Sequence, residues 1–214
     1  MHRTSIAAVA AICLFSAAAV AAPVPPVSYD MPNGNTGSYN YWDDTYSGSG
    51  DRQSDNAALT GGTGDLTDGV IATQNWNIVE PPRGPNGPYV GWSSLDPTIT
   101  FFFDRAYRFS SVTFHFDDSN GAGGVAPPSS ITVQSVTASI PDQPGGAPYS
   151  QTLDLSGLGE TDSLQATITR SETWVFLSEV TFEADIAPVP VPAAGVLMLG
   201  ALGGLAALRR RKAG

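Results

Sequence analysis

Cysteine is almost missing from this chain: the only one, Cys13, lies in an apolar stretch near the N-terminus. Once that stretch is removed no internal disulfide can form, even in a compartment that would allow one. The fold must then rest on core packing, on metal, or on both. Histidine is also scarce, with only His115 outside the N-terminal leader. A single histidine cannot build a zinc centre without cysteines or a carboxylate cluster at matching spacing. No Gly-x-Ser-x-Gly elbow offers a nucleophilic serine. The middle of the chain has no amphipathic helical period of several turns and no internal repeat.

Positive charge is the third shortage. Between the two ends, all 20 Asp and Glu are set against only Arg52, Arg83, Arg105, Arg108 and Arg170, and the one lysine is Lys212. A surface of that sign repels phosphate backbones and anionic lipid heads, which excludes nucleic acid as a partner. It leaves many carboxylates free for divalent cations, although a generic acidic exported surface has the same composition.

The two ends read as addresses. Arg3 precedes an apolar run over residues 6–20, and Ala19, Val20 and Ala21 supply a small-x-small cleavage pattern. This predicts a signal peptide over 1–21, cut after Ala21 because a cut one residue later would place Pro23 directly after the bond. A retained anchor is the competing reading, and the run is short for one. At the other end Val189, Pro190, Val191, Pro192 and Ala193 lead into an apolar run, then Arg209, Arg210, Arg211 and Lys212. The run is roughly 16 residues, below the ~20 of a comfortable span. It still predicts a transmembrane helix over 194–208 with a basic stop on the cytoplasmic side.

That motif, helix and basic cluster, in that order over about 26 residues, resemble the VPLPA variant of the PEP-CTERM sorting signal. Val191 departs from the Leu of the name-giving pattern. The resemblance implies an exported protein of a Gram-negative bacterium, first tethered in the inner membrane and processed near the motif by an exosortase-type enzyme. Its destination is then the cell envelope, the cell surface or the medium. An ordinary tail anchor that is never cut is the alternative.

The intervening residues, about the size of one domain, are patterned for strands. Thr98, Ile99, Thr100, Phe101, Phe102 and Phe103 are β-branched or aromatic. Val112, Phe114 and Phe116 alternate onto one face, with His115 out of phase. Residues 131–140 alternate as one strand, with Ile131, Val133 and Ser135 opposite Thr132, Gln134 and Val136. Residues 164–169 and 173–184 supply two more strands, and Gly/Pro/Asn clusters over 81–88, 120–124 and 141–146 punctuate the series. Short strands between turn clusters predict an all-β antiparallel sandwich or jelly roll. Residues 28–64 are less regular: only Tyr39 to Trp42 look strand-like, leaving a first strand with a long loop, or a flexible arm, both open. The expected division is a spacer and first-strand region over 22–65, a core over 66–186 with the sandwich starting near residue 28, and the sorting signal over 187–214.

Three segments of the core resemble, in order, the galactose-binding-like or discoidin-type domain. They are Leu66, Thr67, Asp68 and Gly69 with Thr73 and Trp76; residues 97–104 with the strand to Phe116; and Trp174 to Phe182 with its Ser178–Glu179 pair. In carbohydrate-binding members of that fold a structural calcium ties the opening loop to the closing strand. Carried over, its ligands are the Leu66 carbonyl, Asp68, Thr73 and Glu179, oxygen donors of the kind calcium takes. Val70 stands where the family often has Asn or Asp, and Trp76 is one residue further from Asp68 than usual.

Other candidates are weaker. Asp117, Asp118, Ser119, Asn120 and Gly121 have alternating oxygens but lack the later glutamate of a calcium loop, so an acidic turn is the simpler reading. Asp43 and Asp44 are adjacent, as surface acids often are. Tyr39, Tyr41, Trp42, Tyr46, Tyr89 and Trp92 lie in or beside loops, where an aromatic face next to Asp or Asn suits a sugar ring, and Tyr41, Trp42, Tyr46 and Trp92 are the candidate ligand-binding rings. Trp42 is expected to be exposed, while Trp76, Trp92 and Trp174 suit the core or its rim. These readings point to a non-enzymatic, envelope-anchored surface protein that binds extracellular polysaccharide or matrix glycan through a calcium-stiffened sandwich. A structural or adhesive protein with a protein partner is the alternative, and an envelope hydrolase using His115 the third.

Overall fold

Ten strands form among residues 20–80 and 87–186, the part of the chain described by the computed structural model. They are β1 (Val20–Pro23), β2 (Ser28–Pro32), β3 (Ala58–Gly62), β4 (Val90–Trp92), β5 (Thr98–Phe116), β6 (Ser130–Val133), β7 (Val136–Ser139), β8 (Tyr149–Asp154), β9 (Thr161–Thr169) and β10 (Val175–Ile186). A short α-helical turn, α1 (Trp76–Val79), and a 3-10 turn (Ala122–Gly124) interrupt them. The sorting motif, the helix expected over 194–208 and the basic stop lie outside the described residues, as does the signal peptide before Val20. Among the described residues no helix is long and apolar enough to cross a membrane.

All strand pairings are antiparallel. One layer runs β1–β10–β5–β8, with β4 on the start of β10. The other runs β3–β2–β5–β9–β6–β7. Strand β5 belongs to both: its first half pairs with β2 and β9, its second with β10 and β8. Between the halves, Asp104, Arg105 and Ala106 are exposed and the register to β9 slips from Phe102 to Tyr107. A second irregularity sets Phe109 opposite Ala184 and Ser111 opposite Glu183, leaving Ser110 as the extra residue of a β-bulge. The bulge inverts the alternation. Ile99, Phe101, Phe103 and Phe109 are buried on odd positions, and Val112, Phe114 and Phe116 on even ones. The expected all-β antiparallel sandwich is thus the architecture found.

Aromatic contacts between the layers close the core. Phe101 and Phe182 have centroids 4.9 Å apart, and Phe103 lies 5.1 Å from Phe182 and 4.6 Å from Phe109. Fully burying a side chain of this size contributes roughly 1.5–3 kcal/mol.

Two expectations, for residues 131–140 and for Tyr39 to Trp42, are corrected. Residues 131–140 are a hairpin, because Gln134 takes a left-handed φ of 53° and the chain reverses so that Val133 pairs with Val136. Residues 28–65 are part of the sandwich, in keeping with a start near residue 28, since β2 pairs with both β3 and β5. Tyr39 to Trp42 form no strand, and Asn40 makes only an isolated bridge with Thr36. Strand β1 sets Val20 and Ala21 opposite Ile186 and Asp185, so a cut after Ala21 would leave Ala22 and Pro23 paired with β10.

Candidate functional site

The loops after β2 and β3 and the start of β10 are tied by buried carboxylates rather than by strand pairing. The Asn33 side chain accepts the N–H of Asp43 at 2.9 Å. Asp43 in turn accepts the Tyr29 hydroxyl and, at 3.0 Å, the N–H of Asp65. Gly64 makes room for this, since a Cβ there would lie 2.2 Å from Asp43 Oδ1. Thr45 donates its hydroxyl to Asp65 Oδ1, while Asp65 Oδ2 is buried with no partner among the described residues.

The residues expected to hold calcium are only partly assembled. Leu66 is fully buried and its carbonyl accepts the N–H of Val180 at 2.9 Å, a link from loop to β10 that needs no ion. Glu179 is buried and accepts the Gly69 N–H at 2.8 Å. Gly69 allows this with a φ of +86°, a conformation that costs a side-chain-bearing residue more. Asp68 is exposed and caps the N–H of Val70 at 2.8 Å. Asp68 and Thr73 line one cavity with Thr45 and Asp65, whereas Glu179 lines another with Thr67, Gly69 and Pro23 to Pro26. Asp68 and Glu179 still sense each other: burial, and then the Asp68 charge, push Glu179 up to about 7, against the lowering effect of the Gly69 N–H.

Other buried acids share this condition. Asp65 is pushed up to about 7 by burial and by the charges of Asp43, Asp68 and Asp44. Asp43 rises to about 6 and Glu80 to about 7, both mainly through burial. The ion pairs found among the described residues, Arg108–Glu160 at 4.0 Å and Arg170–Asp96 at 3.0 Å, involve none of these acids. No set of three or more Asp, Glu, His or Cys poised for a metal occurs among the described residues. Calcium tolerates that, because hydroxyls, carbonyls and water complete its shell. Uncompensated carboxylates, the orphaned Asp65 Oδ2 and an orphaned buried Thr67 hydroxyl fit an oxygen-seeking cation.

The aromatic candidates are redistributed. Tyr41, Tyr46 and Trp92 are at most 2% exposed, so none offers a face to a ligand. Tyr46 donates to the carbonyl of Tyr29, and Trp92 donates to that of Pro32 at 2.9 Å. Both rings are apolar bodies with a satisfied polar tip, the usual condition of buried Tyr and Trp. Trp42 is half-buried and its Nε1 donates to Asp55 at 2.7 Å. Tyr39, Trp76 and Trp174 are also partly exposed, and they gather around buried Tyr41 and Phe176 at centroid distances of 4.5–6.1 Å. Next to them Trp76 Nε1 and Asn75 Oδ1 are buried atoms without partners among the described residues. Trp76 and Trp174 were legible as rim residues and Tyr39 as a loop aromatic; that the three share one cluster was not legible.

Asp117 and Asp118 are buried, not a solvated turn. Asp117 accepts the Trp76 N–H and the Ser119 hydroxyl, and burial pushes it up to about 6. Asp118 accepts the Asn120 N–H at 2.9 Å, as an Asx turn does. His115 contacts Ser150 Oγ through Nδ1 at 2.7 Å, while its Nε2 is buried with no partner among the described residues. The pair therefore lacks the carboxylate that orients a catalytic imidazole.

The fold and this loop cluster define an antiparallel β-sandwich with an acidic, aromatic-rimmed loop region. Residues 26–126 match the profile of the family described as "Discoidin domain-containing receptor 1/2, DS-like domain". The matched stretch is just under half of the chain and includes Asp43, Asp65, Asp68, Thr73 and Asp117, but not Trp174 or Glu179. Comparison with curated proteins finds no match. Among solved structures, 11 chains match. One is a fucolectin from striped bass (Morone saxatilis) serum, with 18% identity over 57% of this chain and a TM-score of 0.39. This chain covers 41% of the fucolectin chain, less than half its length. Another is the family 32 CBM from C. perfringens NanJ in complex with galactose, with 8% identity, 44% and 75% coverage of the two chains, and a TM-score of 0.31.

Proposed function

We propose that this chain is an exported, non-enzymatic surface protein that is held at the cell envelope and binds extracellular polysaccharide or matrix glycan through the loop face of its sandwich. The observation that carries the reading is the partly exposed group of Tyr39, Trp76 and Trp174, seated on buried Tyr41 and Phe176. Flat, partly exposed aromatic faces suit the C–H side of a pyranose. The similarity to DS-like discoidin domains over 26–126 supports a binding rather than a catalytic role. The envelope location rests on the leader and sorting tail, through a membrane helix and an exosortase-type processing enzyme.

Calcium is part of the proposal. Asp68 and Glu179 would supply carboxylates, Thr73 a hydroxyl and Leu66 a carbonyl. Bound there, the ion would neutralise buried acid and join the 66–73 loop to β10. A glycan-array screen of the full chain, with and without chelator, tests both halves. We expect binding to at least one glycan class and a lower melting temperature in chelator. An inert array together with a chelator-insensitive melting curve would remove the reading. A protein partner is the second reading, favoured by exposed Val70, Ile71 and Ile78. Reproducible co-purification of one surface protein alongside an inert array would select it.

A further inference from the structure

A cavity of about 320 Å³ opens among the loops after β5, β7 and β9. Buried Ala126, Pro127, Pro128 and Ile140 give it an apolar lining. Its polar lining is weighted to acceptors. The exposed carboxylates of Asp142 and Glu172 make no hydrogen bond or ion pair among the described residues. The Ser129 and Ser171 hydroxyls already donate, to the carbonyls of Thr169 at 3.1 Å and Pro127 at 2.6 Å, so each has only lone pairs left to offer. Proline has no N–H, which removes backbone donors at Pro127, Pro128 and Pro141. The N–H groups of Asn120, Gly121, Ser129 and Ile140 are bonded within the fold. Arg170, next in sequence to Ser171, turns its guanidinium to Asp96 and to the carbonyls of Ser93 and Thr173.

The cavity adjoins the ring group. Gly121 lines it, and the turn that Gly121 begins reaches both indoles: the Trp174 N–H donates to the Gly124 carbonyl at 2.8 Å, and a Cβ on Gly123 would lie 2.7 Å from the Trp76 ring. Glu172 stands two residues before Trp174. An ammonium group complements such a wall, with three N–H donors, no acceptor and a positive charge. A uronate would be repelled by the two carboxylates, and an N-acetyl group brings a carbonyl acceptor without charge. We propose that this cavity is an ammonium-binding subsite, taking the protonated amine of a de-N-acetylated hexosamine unit in a glycan whose neighbouring ring lies on Trp76 and Trp174. The inference rests on the glycan reading above and adds its charge class: Asp142 and Glu172 select an amino sugar, while the aromatic faces hold the chain.

The test is calorimetric titration of the full-length chain with three probes at a pH that keeps the sugar amine protonated. They are a glucosamine oligosaccharide, its fully N-acetylated counterpart of the same length, and an oligouronate. The glucosamine probe is expected to bind about tenfold more tightly than the acetylated one, and the oligouronate not at all. Glu172→Gln and Asp142→Asn should each weaken the glucosamine probe about two- to fivefold and leave the acetylated one unchanged. Asp162→Asn removes the same charge from an exposed position at the far end of β9 and should change neither. If the free-amine and acetylated probes bind equally, or the oligouronate binds best, the ammonium subsite is wrong and the glycan reading stands. If Asp162→Asn weakens the glucosamine probe as much as Glu172→Gln does, the attraction belongs to the overall negative charge, and the subsite is again overturned. If none of these probes binds and a broad glycan screen is also inert, the glycan reading fails and takes the subsite with it.

Discussion

The backbone N–H of Gly69 donates to Oε2 of Glu179 at 2.8 Å, joining residues 110 apart in the chain. This bond and the Leu66–Val180 bond beside it fasten the loop after β3 to the strand that closes the sandwich. Glu179 is buried by this docking, and its carboxyl is raised because the charge is taken out of water next to Asp68.

Gly69→Ala separates strain from collision. The position has φ +86° and no heavy atom within 4 Å of an added Cβ, so only backbone conformation opposes the methyl. We expect a loss of about 1 kcal/mol in urea denaturation. A loss of several kcal/mol would mean that the loop has no room after all. Gly64→Ala should cost more, because its Cβ would strike the Asp43 carboxylate.

Asp117 gives a pH signature. Its folded pKa, about 6, lies above the unfolded value of 3.8, so the native state holds the proton more tightly. Its contribution to stability is fully present below about pH 4 and is lost as pH rises through 6. Asp117→Asn keeps an acceptor for the Trp76 N–H and should be the more stable form at pH 7.5, by roughly 1–3 kcal/mol, with little advantage at pH 3.5. Urea midpoints at the two pH values measure this, and a pH-independent difference would refute it.

Phe101→Ala removes the ring that meets Phe182 across the layers. A destabilisation of about 3–5 kcal/mol is expected, read by calorimetry or denaturant. A change below about 1 kcal/mol would mean that the two sheets do not pack through this pair.

Tyr39 and Trp92 should behave oppositely. Trp92→Phe forfeits the bond to Pro32 and leaves a buried gap, costing about 1–3 kcal/mol without altering glycan affinity. Tyr39→Ala should weaken glycan binding about tenfold while moving stability little. Equal effects of the two on binding would dissociate the ligand face from the exposed rings.

How far the sequence could be read depended on whether a residue's role was local. The alternation of Val112, Phe114 and Phe116 is a property of the strand itself, and their burial follows from it. The phase inversion at Ser110 was not legible, because a bulge is set by the register to Glu183 and Ala184, residues far along the chain. The reversal at Gln134 and Ser135 was missed because neither residue is the Gly or Asn that usually marks a left-handed turn position. Tyr41, Tyr46 and Trp92 read as loop aromatics, and so as candidate ligand faces. Strand β2 and the loop after it pack against the rest of the sandwich, and all three rings lie inside.

Composition and periodicity were enough for the all-β class, the absence of a disulfide from the sandwich and the acidic surface, because each depends on residue type or on neighbours two positions away. Which acids are buried could not be had that way. Asp43, Asp65, Asp117 and Glu179 look no different in the chain from Asp104 or Asp154. They are buried because strands distant in sequence bring loops over them, and burial of charge is a property of surrounding volume, not of order along a polymer.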